Sequence, residues 1–291
     1  MPPGTLKRNL IPLAIAVVVV AIVVIPHFRG SSETVTRGLP RTLDYHSLLV
    51  DTRQSDRLTL GTHDGLFRST DGGRTWARAE LRGDDAMNLA RAGGSTLWAA
   101  GHNVLARSTD GGATWAGMHP TGLPSLDVHG FAVDPARALT VYAAVAGQGL
   151  YRSTDGGRTF ALRSRDVGPG VMALAVLTDG RVLAGDLQRQ EIVESRDGGT
   201  TWKAVVGASI MGLAVEPSGG SRILAAGPGV LLSKNGGKTW RQVLQIERGA
   251  GPIAWAPADP RRAYVVGFDR VLYTTEDAGA TWHAVPSSER G

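Results

Sequence analysis

Four of the seven histidines, His46, His63, His102 and His129, lie close in the sequence to short polar side chains that can share a ligand with them. His46 and His129 each open a run of apolar residues, while the strings THDG and GHN set His63, Asp64, His102 and Asn103 in short polar turns. Asp84, Asp85 and Asp127 are near them in the sequence. Imidazole changes charge near neutral pH, and with carboxylate it can take a divalent metal or a polar ligand. A plainer use of the same residues is to satisfy hydrogen bonds in turns and to line a wet channel. No compact ligand spacing specifies a metal, so no cofactor is implied and a divalent ion stays a secondary reading.

Other chemistries find less support. The chain has no cysteine, which removes disulfides, thiolate nucleophiles and thiolate metal ligands. The patterns G-x-S-x-G and H-E-x-x-H are both absent. Acids in predicted loops are Asp64, Asp84, Asp85, Asp127 and Asp269. A glycosidase would need two such carboxylates about 5–10 Å apart across a cleft. Catalysis is therefore left open, with binding the preferred reading.

The elements that must position these residues come from repetition. An eight-residue pattern, S-x-D-x-G-x-T-W, recurs six times: STDGGRTW at 69–76, STDGGATW at 108–115, STDGGRTF at 153–160, SRDGGTTW at 195–202, SKNGGKTW at 233–240 and TEDAGATW at 275–282. Its anchors are Asp71, Asp110, Asp155, Asp197, Asn235 and Asp277, spaced by 39, 45, 42, 38 and 42 residues. That period suits a four-stranded propeller blade. The Asp or Asn side chain accepts backbone N–H groups inside the turn, and the following glycine supplies a positive φ. Asn at 235 keeps the acceptor oxygen without the charge, which favours a structural role over calcium binding. The 39 glycines fit a chain of many tight turns, and no sustained helical period follows residue 30.

First strands are expected near His46, Asn88, His129, Met172, Met211 and Ile253. The fold expected is all-β: one six-bladed β-propeller of four-stranded antiparallel blades over residues 43–291, with the box aromatics largely buried. Blade six is expected to close either by pairing with residues 34–37 as an outer strand or through residues 282–286 alone. In a four-stranded blade, His46, His63, Asp64, His102, Asn103 and His129 all belong to the face opposite the boxes, on blades one to three. The later blades carry Met172, Met211 and Ile253 where His46 and His129 stand.

These repeats resemble the BNR/Asp-box repeat family, over roughly residues 44–286. The resemblance implies the propeller and places each box between the third and fourth strands, away from the ligand face. It leaves function open, because the family spans sialidases and other glycosidases, sortilin-type receptors and photosystem II assembly factors. The sialidase pattern is not met. No F/Y-R-I-P motif is present, and Tyr45, the one tyrosine near a predicted mouth, has no glutamate in its repeat. A glycosidase-like hydrolase with other site residues stays as the alternative to a binding or scaffold module.

Residues 10–25, LIPLAIAVVVVAIVVI, carry no charge and would span about 24 Å as a helix. Residues 1–28 are therefore expected to form one N-terminal hydrophobic helix, an uncleaved membrane anchor or a cleaved signal segment. Lys7 and Arg8 precede it and hold that end in the cytoplasm, so the propeller is expected outside, membrane-bound or secreted. Residues 29–42 read as a polar tether. The net charge of +5 includes Lys7, Arg8 and Arg29 in a stretch without acids, which leaves 28 basic against 26 acidic residues, scattered mostly singly. That excludes a phosphate-tracking surface, so no nucleic acid is expected. The expected partner is a protein or glycan outside the cytoplasm, with the membrane engaged through the N-terminal segment.

Overall fold

The computed structural model describes residues 35–286 apart from 82, 168–169 and 218–219. The helix expected over residues 1–28 lies outside the described residues, as does the start of the tether. Among the described residues no helix is long and apolar enough to cross a membrane.

The described chain forms six antiparallel sheets, five of four strands and one of five. Their first strands are Tyr45–Val50, Asp85–Arg91, Val128–Asp134, Val171–Val176, Gly212–Val215 and Ala250–Ala256. Each sheet is built from consecutive strands joined by short turns, as the alternating apolar runs and Gly-rich breaks dictate. Each first strand packs against the next, and that of blade six packs against that of blade one, which closes the ring. The core lies between blades rather than within them. One cluster joins Tyr45, Leu58 and Trp76 of blade one to Tyr264 and Leu272 of blade six, and another joins Tyr142 and Leu150 of blade three to Val176 and Val193 of blade four.

Closure follows the second expected route, through residues 282–286 alone, and not the first. His283–Ala284 completes blade six as its outer strand, while Thr36–Arg37 pairs with Thr75–Arg78 on blade one, not with blade six. The ring thus closes by packing, without a shared strand. Across the seam the Tyr264 hydroxyl donates to the Ser55 carbonyl at 3.0 Å. Within the stretch 29–42 expected as a tether, Thr36 enters the sheet and Leu39 packs on the blade-one cluster.

Each box lies between third and fourth strands, as between Gly65–Ser69 and Thr75–Arg78. In the first, Asp71 Oδ1 accepts the Thr75 amide at 2.9 Å and Asp71 Oδ2 accepts its hydroxyl at 2.6 Å. Ser69 Oγ accepts the Gly73 amide at 2.8 Å, and Trp76 Nε1 donates to the Gly73 carbonyl at 2.9 Å. Asn235 keeps the geometry by reversing one bond: its Oδ1 accepts the Thr239 amide, and its Nδ2 donates to the Thr239 hydroxyl at 2.8 Å. Charge is not needed to make the turn.

Burial of the box aromatics is uneven. Trp76 and Phe160 are buried, whereas Trp115, Trp202, Trp240 and Trp282 are half-buried. The difference is a covering segment. Thr36 pairs directly across from Trp76, and the Phe160 amide donates to Thr121 of the preceding connection at 2.9 Å.

The same donors lower the pKa of the box carboxylates. The Thr114, Thr159 and Thr201 hydroxyls and amides hold Asp110, Asp155 and Asp197 well below the usual carboxylate range, and Thr281 holds Asp277 at about 2. A carboxyl whose folded pKa is depressed adds stability above its unfolded value of about 4, and loses it as pH falls toward the folded value. A D110N/D155N/D197N chain should therefore show a flatter dependence of stability on pH between about 4 and 2 than the unsubstituted chain. Chemical unfolding across that range is the measurement, and parallel curves for the two proteins would refute the assignment.

Candidate functional site

The face opposite the boxes carries the turns between second and third strands and the entries to the first strands. Two of these turns are two-residue hairpin loops. Thr62 pairs with Gly65 around His63–Asp64, and Gly101 pairs with Val104 around His102–Asn103. Left-handed backbone closes both hairpins, at Gly65 just after the first loop and at Asn103 within the second, with φ of 100° and 59°. Each loop thereby presents its histidine at the ring's mouth.

The first strands bring the other partners. His46 and His129 stand at the second positions of Tyr45–Val50 and Val128–Asp134, and Asp85 opens the first strand of blade two. Neighbouring blades are tied together at this level. Ser47 Oγ donates to the Ala86 carbonyl at 3.0 Å, and Asn88 Nδ2 donates to the His129 carbonyl at 3.1 Å while its Oδ1 accepts the Phe131 amide.

Four histidines and three aspartates converge there. Asp85 is the centre: its Oδ2 lies 2.6 Å from His63 Nδ1 and 3.7 Å from His102 Nε2, and its Oδ1 lies 3.5 Å from His46 Nε2. On one side Asp44 Oδ2 is 3.5 Å from His63 Nε2; on the other Asp127 Oδ1 is 2.6 Å from His102 Nδ1 and 3.2 Å from His129 Nε2. The rings meet edge to face in two pairs, His46 with His63 at 4.5 Å and His102 with His129 at 5.0 Å. Burial pushes His46 below the ordinary histidine range against the opposing pull of Asp85. The buried atoms His46 Nε2, His129 Nε2 and Asp85 Oδ1 make no hydrogen bond. Such atoms are uncommon in folded proteins and require a reason.

Of the residues expected at the site, His46, His63, His102 and His129 come together. Asp64 and Asn103 serve their turns instead: the Asp64 amide donates to the Thr62 hydroxyl, its carbonyl accepts from the Arg78 guanidinium, and Asn103 supplies the left-handed turn position. Asp269 is likewise engaged locally, accepting the Tyr273 hydroxyl at 2.6 Å. Asp44 was not foreseen. Its sequence signal is the string D-x-H, which occurs at 44–46 and again at 127–129 and sets both side chains on one side of an extended segment.

Beyond the mouth runs a channel of about 490 Å³ walled by the first strands. His46 stands in its lining, and Leu48, Phe131, Met172, Met211 and Trp255 make its walls apolar. The mouth is thus polar and titratable on blades one to three, above an apolar interior.

Comparison with known proteins agrees with this fold. The family profile for the BNR/Asp-box repeat matches residues 67–78, and that for the photosynthesis system II assembly factor YCF48 matches residues 177–291. No curated protein matches the sequence. Among solved structures, one described as "YCF48 bound to D1 peptide" is 18% identical, with a TM-score of 0.55, over 87% of this chain and 84% of that chain. YCF48 from Cyanidioschyzon merolae is 17% identical, with a TM-score of 0.52, over 88% and 90%. The GH74 xyloglucanase from Xanthomonas campestris is 18% identical with a TM-score of 0.61; it is covered over 47% of its length by 88% of this chain, which thus spans about half of that enzyme. At these identities the likeness extends to the fold. Repeat sequence, blade count and structural likeness agree that this chain is a six-bladed β-propeller of the BNR/Asp-box repeat type.

Proposed function

We propose that the chain is a binding or scaffold module that receives a segment of a protein partner at the mouth on blades one to three. The observation that carries this reading is the convergence of four histidines and three aspartates with buried unpaired atoms above an apolar channel. Unpaired polar atoms supply donors and acceptors to a polar chain, and the apolar walls accept a side chain reaching inward. The structure titled "YCF48 bound to D1 peptide" supports a peptide as the kind of ligand this fold can take. In the same reading the propeller works outside the cytoplasmic membrane, held there by residues 1–28.

Two experiments test the two halves. A displayed random-peptide library selected on the full chain should enrich sequences that a H46A/H63A/H102A/H129A chain retains at least tenfold less. Equal retention by both proteins would remove the mouth as the binding site. A reporter active only after export, fused at Gly291, should be active; an inactive reporter on a well-expressed fusion would overturn the topology.

A further inference from the structure

The mouth has a feature that partner binding does not require. Two of its nitrogen–oxygen pairs face one another at separations too long for good hydrogen bonds. His46 Nε2 and Asp85 Oδ1 are 3.5 Å apart, and both are buried without a hydrogen bond. His63 Nε2 and Asp44 Oδ2 are also 3.5 Å apart. A tetrahedral ion with ligand bonds of about 2.1 Å sets its ligand atoms about 3.4 Å from one another. The His63–Asp44 gap is that of an edge of a coordination polyhedron rather than of a hydrogen bond, and the unbonded His46 Nε2 stands free to join it.

We propose that Asp44, His46 and His63 bind a divalent transition-metal ion of the zinc class. One ligand atom from each of the three lies within 4.8 Å of the others, so no edge has to close by more than about 1.4 Å on binding. The ligand set of two imidazoles and one carboxylate suits zinc and its neighbours better than calcium or magnesium, which take oxygen. Asp85 is a positioning residue. Its Oδ2, at 2.6 Å from His63 Nδ1, holds the ring proton on that nitrogen and turns the Nε2 lone pair toward Asp44. Three protein ligands leave the fourth position open toward solvent, where a partner's donor atom can enter.

The second trio, His102, Asp127 and His129, also meets the distance requirement. It is the lesser candidate, because Asp127 Oδ1 already bonds His102 Nδ1 at 2.6 Å and lies 3.2 Å from His129 Nε2. Its acid is already bonded to one of its rings, whereas Asp44 makes no contact shorter than 3.5 Å with its own pair. The three aspartates of the mouth also offset the charge an ion brings. The inference concerns the same face as the partner-binding reading, and its test needs no partner, so either can fail without the other.

The experiment is metal titration of the full chain in detergent, stripped with a chelator and then dialysed. Zinc affinity is read by competition with a chromophoric chelator, and geometry by the visible spectrum of the cobalt(II) form. The unsubstituted chain should bind zinc with a four-coordinate cobalt spectrum. H46A/H63A should lower zinc affinity at least about 100-fold and abolish that spectrum, while D85N should lower it about tenfold. H102A/H129A should change it less than about threefold. Tryptophan fluorescence checks that each variant keeps its propeller, and His63→Gln, in an open hairpin loop, replaces the double variant if that fails to fold. Zinc binding no tighter than that of the His46/His63 variant would overturn the proposal. Equal loss on removing His102 and His129 would overturn the assigned position.

Discussion

Replacing Trp76 by alanine should lower the free energy of unfolding by about 3–5 kcal/mol and the melting temperature by about 10 °C. Trp76 is 1% exposed and lies in the cluster that joins blade one to blade six. That seam has no shared strand, so packing must supply what strand exchange would otherwise provide. Gly73, with φ of 89°, leaves the room into which Leu272 of blade six reaches against it, and the indole lies beside the same position. The Arg262–Asp56 ion pair across the seam is half in solvent and adds little. Trp115 makes the same indole bond to its own box but has no covering strand, so Trp115→Ala should cost less, about 1–2 kcal/mol. Thermal unfolding of both variants followed by circular dichroism decides the matter. Equal losses would show that the closing seam is not held by this cluster.

Gly101→Val should cost about 3 kcal/mol and weaken ligand retention at the mouth at the same time. Gly101 sits in the second strand of blade two, and a Cβ there would fall on the carbonyl oxygen of Asp85, with the Met87 amide at 2.9 Å. Both obstacles are backbone, so neither can rotate away. The strand pairing is irregular at this level, shifting register between Asp85 and Asn88. This bulge sets the Asp85 carboxylate among three histidines, and the absent side chain at 101 makes room for it. Gly117 has open space around its Cβ position, so Gly117→Val is the matched control and should stay within about 0.5 kcal/mol of the unsubstituted chain. Urea unfolding and peptide retention are measured together on each protein. Full retention by a destabilised Gly101→Val chain would separate the bulge from the site.

Much of this molecule is written in short stretches of sequence, because much of it is held by local bonds. Each box closes on itself within eight residues, through bonds such as Thr75 to Asp71, so six boxes imply six outer hairpins without knowledge of anything distant. The hairpins around His63 and His102 are equally local, and with the blade pattern they put both rings on the face away from the boxes. The apolar first strands and their order are legible for the same reason.

What passes between blades was settled by the tertiary structure alone. Asp85 meets His46 and His63 across the gap between blades one and two, at a distance set by how steeply the ring turns and by a bulge that no motif announces. Whether Asp84 or Asp85 would point inward depends on a one-residue register, which alternation in so short a strand does not define. The same holds for the edge that Thr36–Arg37 joins and for which box aromatics become buried, since both depend on segments about 40 residues away lying over them. Sequence alone determined the repeating unit and the face to which its histidines belong, because those follow from bonds a few residues long. The closed ring alone decided which acids those histidines meet and how the two end blades join, because such contacts exist only once all six blades are packed around one axis.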